Sequence, residues 1–243
     1  MDKNNQFAIE RIEEARRMAQ DSDLRQKSLD WIIHADRHKY MYNYSWMGRP
    51  IIKFPNDIVA MQELIWKIKP DLIIETGIAH GGSLVFSASM LELIGQGIVV
   101  GIDVDIREHN RAAIEGHPMY SRIRMIEGSS TDKNVVEQVA ELAKQSQRVM
   151  VFLDSLHTHE HVLSEMNLYA PFVSVGSYLI VADTFIEFFP EGYYEDRPWD
   201  YGNNPYTAVR EFLKENDSFA IDKEIVNKLC ITEAFDGYLR RMK

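Results

Sequence analysis

The chain has 243 residues, 45% of them hydrophobic, with a formal net charge of −10. The hydrophobic share supports a full core and excludes long disorder. The acidic balance argues against nucleic acid or an anionic membrane as the main partner, and says nothing against a small ligand. Cys230 is the only cysteine, so no internal disulfide forms, and its neighbours Leu229 and Ile231 predict a buried strand position. There is no run of about 18 apolar residues, and Met1-Asp2-Lys3-Asn4-Asn5 opens no signal peptide. The expectation is a cytoplasmic protein with no membrane insertion.

Residues 6–40 read as charged helix, with a second helix starting after Asp21-Ser22. His34-Ala35-Asp36 has the spacing of two iron ligands, but on a helix those side chains do not easily face one metal. Tyr40, Tyr42, Tyr44 and Trp46 form an alternating aromatic run ending in the turn Met47-Gly48-Arg49-Pro50, read as packing or as a lid. Asn56 or Asp57 is expected to cap a helix over 58–68. From there strands and helices alternate: strand 72–75 and helix 81–94, strand 98–103 and helix 107–115, strand 122–126 and helix 132–145. Strand 149–153 and helix 158–172 follow, then strand 177–182, an irregular stretch over 184–204, helix 206–215, and strands near 218–221 and 228–233. Continuous apolar strands between amphipathic helices predict a parallel sheet covered on both faces.

The centre of this pattern is Ile73–Ser83, a strand, a turn holding Gly77, Gly81 and Gly82, and the start of a helix. Such a turn lets a ligand approach the main chain and offers free helix amides to an anionic group. It is neither G-x-G-x-x-G nor a P-loop. Ligands of a doubly wound sheet sit beyond the carboxyl ends of its strands. Those ends carry Glu75, Asp103, Glu127, Asp154 and Asp183. Asp103 follows Gly77 by about 26 residues, where nucleotide folds set a carboxylate against ribose hydroxyls. Asp154 and Asp183 can converge on one hard cation, with Thr184 adding an oxygen, and paired carboxylates suit Mg²⁺. Asp105 and Asp132 read more simply as a turn former or a helix cap. In Asp154-Ser155-Leu156-His157-Thr158-His159-Glu160-His161, the four-residue spacing puts His157 and His161 on one helix face. His161 reads as an interior, hydrogen-bonded histidine. His157, about one turn from Asp154, is placed to act as a general base.

Several stretches together resemble the cephalosporin hydroxylase-like family, a branch of the class I S-adenosylmethionine-dependent methyltransferases. They are Trp46-Met47-Gly48, Gln62 to Trp66, Pro70 to Ser83, Asp154-Ser155 with His157, His161 and Val162, Gly176-Ser177-Tyr178, Asp183-Thr184, Asn204-Pro205 and Gly237 to Arg241. Val151-Phe152-Leu153-Asp154 and Val181-Ala182-Asp183-Thr184 are also similar to the metal-ligand segments of catechol-type O-methyltransferases. The resemblance implies an α/β fold: a Rossmann-like, mostly parallel sheet with helices on both faces. Residues 1–50 would be an N-terminal helical extension and lid, and residues 51–243 the methyltransferase domain. It implies S-adenosylmethionine held by Glu75, Gly77, Ala79, Gly81, Ser83, Asp103, Ser129, Ser130 and Asp154. It implies Mg²⁺ or another divalent metal on Asp154, Asp183 and Thr184, with His157 and Asp154 catalytic. Relatives often carry an acid where this chain has Ala182.

The expected activity is metal-assisted O-methylation of a small-molecule or glycan hydroxyl. The aromatics of 40–51 and 187–206 suit a polyhydroxylated ring, and phenols are the second acceptor class. The same aromatics also suit an interface between copies, and a homo-oligomer is expected. Two other classes stay open: a cofactor-binding accessory protein without turnover, and an NAD-dependent oxidoreductase. An iron-dependent hydroxylase fits least, because strand–helix alternation is wrong for a double-stranded β-helix.

Overall fold

The computed structural model describes residues 3–243. Two helices open the chain, α1 (Lys3–Gln20) and α2 (Ser22–Asp36), the second capped by Asp21, whose carboxylate accepts from the Leu24 amide. A short hairpin follows, β1 (Ser45–Trp46) with β2 (Arg49–Pro50), then α3 (Pro55–Ile68). The expected cap at Asn56 or Asp57 is corrected: Phe54 is the N-cap residue and Pro55 opens the helix, as suits a residue without an amide hydrogen. Asp57 is instead buried, accepting from the Glu233 amide and the Tyr238 hydroxyl.

The alternating part follows the periodicity closely. It runs β3 (Leu72–Thr76), α4 (Gly82–Ile94), β4 (Ile98–Asp103), α5 (Glu108–Glu115), β5 (Ile123–Glu127), α6 (Lys133–Lys144), β6 (Val149–Leu153), α7 (His159–Tyr169) and β7 (Tyr178–Val181). Asp132 caps α6, accepting from the amides of Asn134 and Val135. The chain closes with α8 (Pro205–Glu215), β8 (Phe219–Ile221), α9 (Lys223–Lys228) and β9 (Tyr238–Arg241). The expected strand at 228–233 is absent. Residues 229–237 form a loop that packs beneath the site, and Cys230 lies on it, partly exposed. The final strand lies at 238–241 instead, where Tyr238 and Leu239 are buried.

Seven strands make one sheet in the order β5-β4-β3-β6-β7-β9-β8. All neighbours are parallel except β9, which runs antiparallel to β7 and β8. β3 pairs with both β4 and β6, with Thr76 opposite Ile102 on one side and Leu153 on the other. The order of the chain reverses there, so the carboxyl ends of these three strands open a crevice. One apolar layer joins the sheet to α3 and α4, and a second joins it to α6, α7 and α8. A third cluster, with Ile32, Met41, Phe54, Phe185, Phe189 and Phe235, ties α2 and the 40–54 segment to the 185–199 segment beside the carboxyl edge. Among the described residues no helix is long and apolar enough to cross a membrane.

Candidate active site

The turn after β3 is built by constraint. Gly77, at φ +88°, faces the main chain of Asp154 so closely that an added Cβ would lie 1.9 Å from its carbonyl oxygen; no other residue type fits. Ala79 also has positive φ. Asp103 holds the turn, its Oδ2 accepting from the amides of Ile78 at 2.8 Å and Ala79 at 3.3 Å. Arg49 donates to the carbonyl of His80 and, at 3.0 Å, to Asn110, which donates to the carbonyl of Ala79 at 2.9 Å. With those carbonyls drawn outward and no side chain capping α4, the first amides of the helix are left for a ligand.

This turn forms one wall of a cleft of about 650 Å³ at the carboxyl edge, a volume typical of small-molecule sites. Of the residues expected to hold a cofactor, Gly77, Ala79, Ser83, Asp103, Ser129, Ser130 and Asp154 line it. Glu75 and Gly81 do not. Gly81 packs behind the turn, where a Cβ would meet Ile114 at 2.4 Å. Glu75 is fully buried and reaches the site only through the Ser83 hydroxyl, which donates to its Oε1; Oε2 has no partner. Burial pushes the Glu75 carboxyl up to about 7, and the Ser83 hydrogen bond and the Lys53 charge oppose the rise.

That shift has a measurable consequence. A carboxyl ordinarily near 4.5 stays protonated in the native state where the unfolded chain has ionised, so stability falls as pH rises from about 4.5 to about 7. Glu75→Gln keeps an acceptor for Ser83 and removes the titration. In denaturant melts the variant is expected to exceed the parent by roughly 1–3 kcal/mol at about pH 8, with the gap closing toward about pH 5. Parallel stability curves for the two proteins would refute this.

Beyond β6 and β7, Asp154, His157 and Asp183 each offer one ligand atom, and these atoms lie within 4.8 Å of one another. His157 Nδ1 stands 3.3 Å from Asp183 Oδ2. Its ring meets Trp199 edge-on, with centroids 4.7 Å apart. Burial pushes the Asp183 carboxyl up to about 6; the adjacent His157 lowers it and Asp154 raises it. Thr184 is placed differently from expectation. It is fully buried, and its hydroxyl donates to the Glu233 carbonyl at 3.3 Å, away from the cluster. The shared helix face of His157 and His161 is also corrected, because α7 starts at His159. His161 is hydrogen-bonded as expected, its Nε2 lying 3.1 Å from Ser155 Oγ and 3.2 Å from Ser130 Oγ, but it lines the cleft rather than the interior.

Of the aromatics, Tyr42, Tyr194 and Trp199 line the cleft, with Asp36 and Arg197 beside them. Trp46 packs on Phe86, Phe188 packs on Phe235, and Phe189 packs on Tyr193, the last four in the third cluster. Three cleft-side cations escaped the sequence reading, Arg49, Lys53 and Arg197. Lys53 is buried, 3.0 Å from Asp154 Oδ2 and 2.7 Å from Glu233 Oε1. A lysine between apolar residues, as in Ile51-Ile52-Lys53-Phe54, was the available signal.

The strand order, the antiparallel β9 and a ligand edge beyond β3 define a class I methyltransferase fold. Residues 38–242 match the model of the family described as Rhamnosyl O-methyltransferase/CmcI, and the chain belongs to that family. It is 33% identical over 218 residues to a rhamnosyl O-methyltransferase of Mycobacterium tuberculosis (strain ATCC 25618 / H37Rv), covering 86% of this chain and 85% of the relative. It is 30% identical to that of Mycobacterium leprae (strain TN), covering 86% and 90%. An apo structure of CmcI superposes with a TM-score of 0.60 at 20% identity, over 83% of this chain and 77% of the other. A CmcI structure with Mg and SAM gives 0.58 at 20% identity, over 83% and 78%.

Proposed function

We propose that this protein transfers a methyl group from S-adenosylmethionine to a sugar hydroxyl, with a divalent cation beside the acceptor oxygen. The observation that carries the reading is one cleft holding both the glycine turn and the Asp154, His157 and Asp183 cluster. The residues present fit both groups. The uncapped start of α4 and the Ser83 hydroxyl suit the carboxylate and amine of a methionine end, Asp103 the ribose, and Ser129 and Ser130 the adenine border. The two carboxylates of Asp154 and Asp183 suit a divalent cation, with His157 standing beside them. When bound, the cofactor supplies an electrophilic methyl group and the cation a positive charge that eases ionisation of a hydroxyl.

The chain's own residues do the rest. Asp183 orients the His157 ring through Nδ1, leaving Nε2 to take the acceptor proton. Trp199 packs against the ring at right angles to it. Tyr42, Tyr194 and Trp199 offer apolar faces to a sugar ring, and Asp36 and Arg197 offer polar contacts to its hydroxyls. Holding acceptor and donor in line supplies much of the rate. The names of the mycobacterial relatives support a rhamnosyl acceptor. Labelled methyl transfer across rhamnosides, other sugars and phenols, with and without chelator, tests the reading. Transfer to rhamnosides that chelation abolishes is expected. Transfer to phenols alone would overturn the acceptor, and transfer indifferent to chelation would overturn the role of the cation.

A further inference from the structure

Lys53 lies in the link between β2 and α3, outside the sheet. Its side chain is only 2% exposed. An ammonium taken out of water is costly unless it is closely paired, so its partners indicate why it is there. Nζ lies 2.7 Å from Glu233 Oε1, 3.0 Å from Asp154 Oδ2 and 4.2 Å from the centre of the Phe152 ring. Glu233 is held in its turn. Its amide donates to Asp57 Oδ2 at 2.9 Å, and Asp57 Oδ1 accepts from Thr232 and, at 2.8 Å, from Tyr238. An unbroken chain of contacts therefore runs from α3 and β9, through Glu233 and Lys53, to Asp154 at the end of β6.

We propose that Lys53 is the positioning residue of the cation site: anchored by Glu233, its ammonium holds Asp154 in the orientation in which it faces Asp183 and His157. The inference rests on the metal-assisted reading above. Lys53 commits one of the two carboxylate oxygens of Asp154 and leaves the other for a cation. It also balances charge. Its ammonium sits between Asp154 and Glu233, and Asp154 in turn faces Asp183 and His157. Lys53 acts through Asp154 and touches neither reacting group. A lysine that served only to fasten the 229–237 loop needed Glu233 alone; the contact with Asp154 is the feature such a role leaves unexplained.

Lys53→Met keeps the stem and removes the ammonium. The test is titration with Mn²⁺ alone, followed by electron paramagnetic resonance, and titration with S-adenosylmethionine by calorimetry. Mn²⁺ is expected to bind K53M about tenfold or more weakly, the scale on which a lost outer partner weakens a metal site, with cofactor affinity held within about threefold. Charge alone works the other way, since removing a positive group beside a cation tightens its binding. Weakening therefore reports lost orientation. Mn²⁺ affinity unchanged or tightened in K53M would overturn the inference. So would an equal loss of Mn²⁺ and cofactor binding, which marks a fold defect. If K53M does not fold, Lys53→Gln keeps a shorter polar donor and removes the same positive charge, so charge alone again works toward tighter binding. K53Q is expected to weaken Mn²⁺ binding in the same sense, and unchanged affinity there overturns the inference. A parent protein that binds no Mn²⁺ overturns the metal reading and this inference with it, whereas failure in the variants alone leaves that reading standing.

Discussion

Asp183→Asn is expected to lower metal-dependent methyl transfer by about a hundredfold or more while leaving S-adenosylmethionine affinity nearly intact. Asp183 stands at the end of β7, beyond the strands that border the glycine turn, and faces His157 and Asp154. Asparagine keeps its size but removes the charge that a cation needs. The pH dependence has a defined sign. Burial raises the Asp183 carboxyl to about 6, against the opposing pull of His157. A cation binds the ionised form, so protons compete with it below that value, and apparent metal affinity falls by up to about tenfold per unit as pH drops below about 6. Without a cation the raised carboxyl contributes stability at low pH that is lost as pH rises through about 6. Added Mg²⁺ should therefore raise the melting temperature more at about pH 8 than at about pH 5. Calorimetry and thermal melts check both statements. A collapse of cofactor affinity in the variant would make Asp183 a cofactor contact instead.

His157→Ala is the second large effect. Loss of a positioned general base costs about 10²- to 10⁴-fold in turnover. The geometry behind this is the Nδ1 contact with Asp183, which leaves Nε2 as the proton acceptor, and the Trp199 edge over the ring. The base role predicts that kcat falls, that Mn²⁺ affinity changes little, and that added imidazole restores part of the rate. His157 also lies within ligand distance of the carboxylates. A variant that loses Mn²⁺ binding together with turnover would assign the ring to the metal and remove it as base. Rate and metal affinity measured on one preparation separate the two roles.

Much of this architecture was legible because it is periodic. The bounds of β4 and β6 agree with the apolar runs at 98–103 and 149–153, and α4 with the pattern after the glycine turn. A parallel sheet sends every carboxyl end to one edge. Asp103, Asp154 and Asp183, which end different strands, could therefore be assigned to a common site without knowing any contact. The glycine turn was legible for the same local reason, since three glycines in six residues mark a backbone that must bend and be approached.

What escaped is long-range. Leu229-Cys230-Ile231-Thr232 has strand composition. It is a loop because Thr232 and the Glu233 amide bond to Asp57, while the residues of β9 take the place between β7 and β8. Thr184 follows a site aspartate in sequence, yet its hydroxyl turns to the Glu233 carbonyl. His157 and His161 have helical spacing, but only one of them is on the helix. Lys53 and Arg49 belong to a segment that reads as a turn and a strand edge, and their partners lie far along the chain. Local composition alone determined the alternating strands and helices from β3 to β7, the bend after β3 and the edge on which the acids fall. Only the tertiary structure decided which buried charge meets which. A buried ammonium is stable only beside its carboxylates, and for Lys53 those come 101 and 180 residues later, a separation that no local pattern encodes.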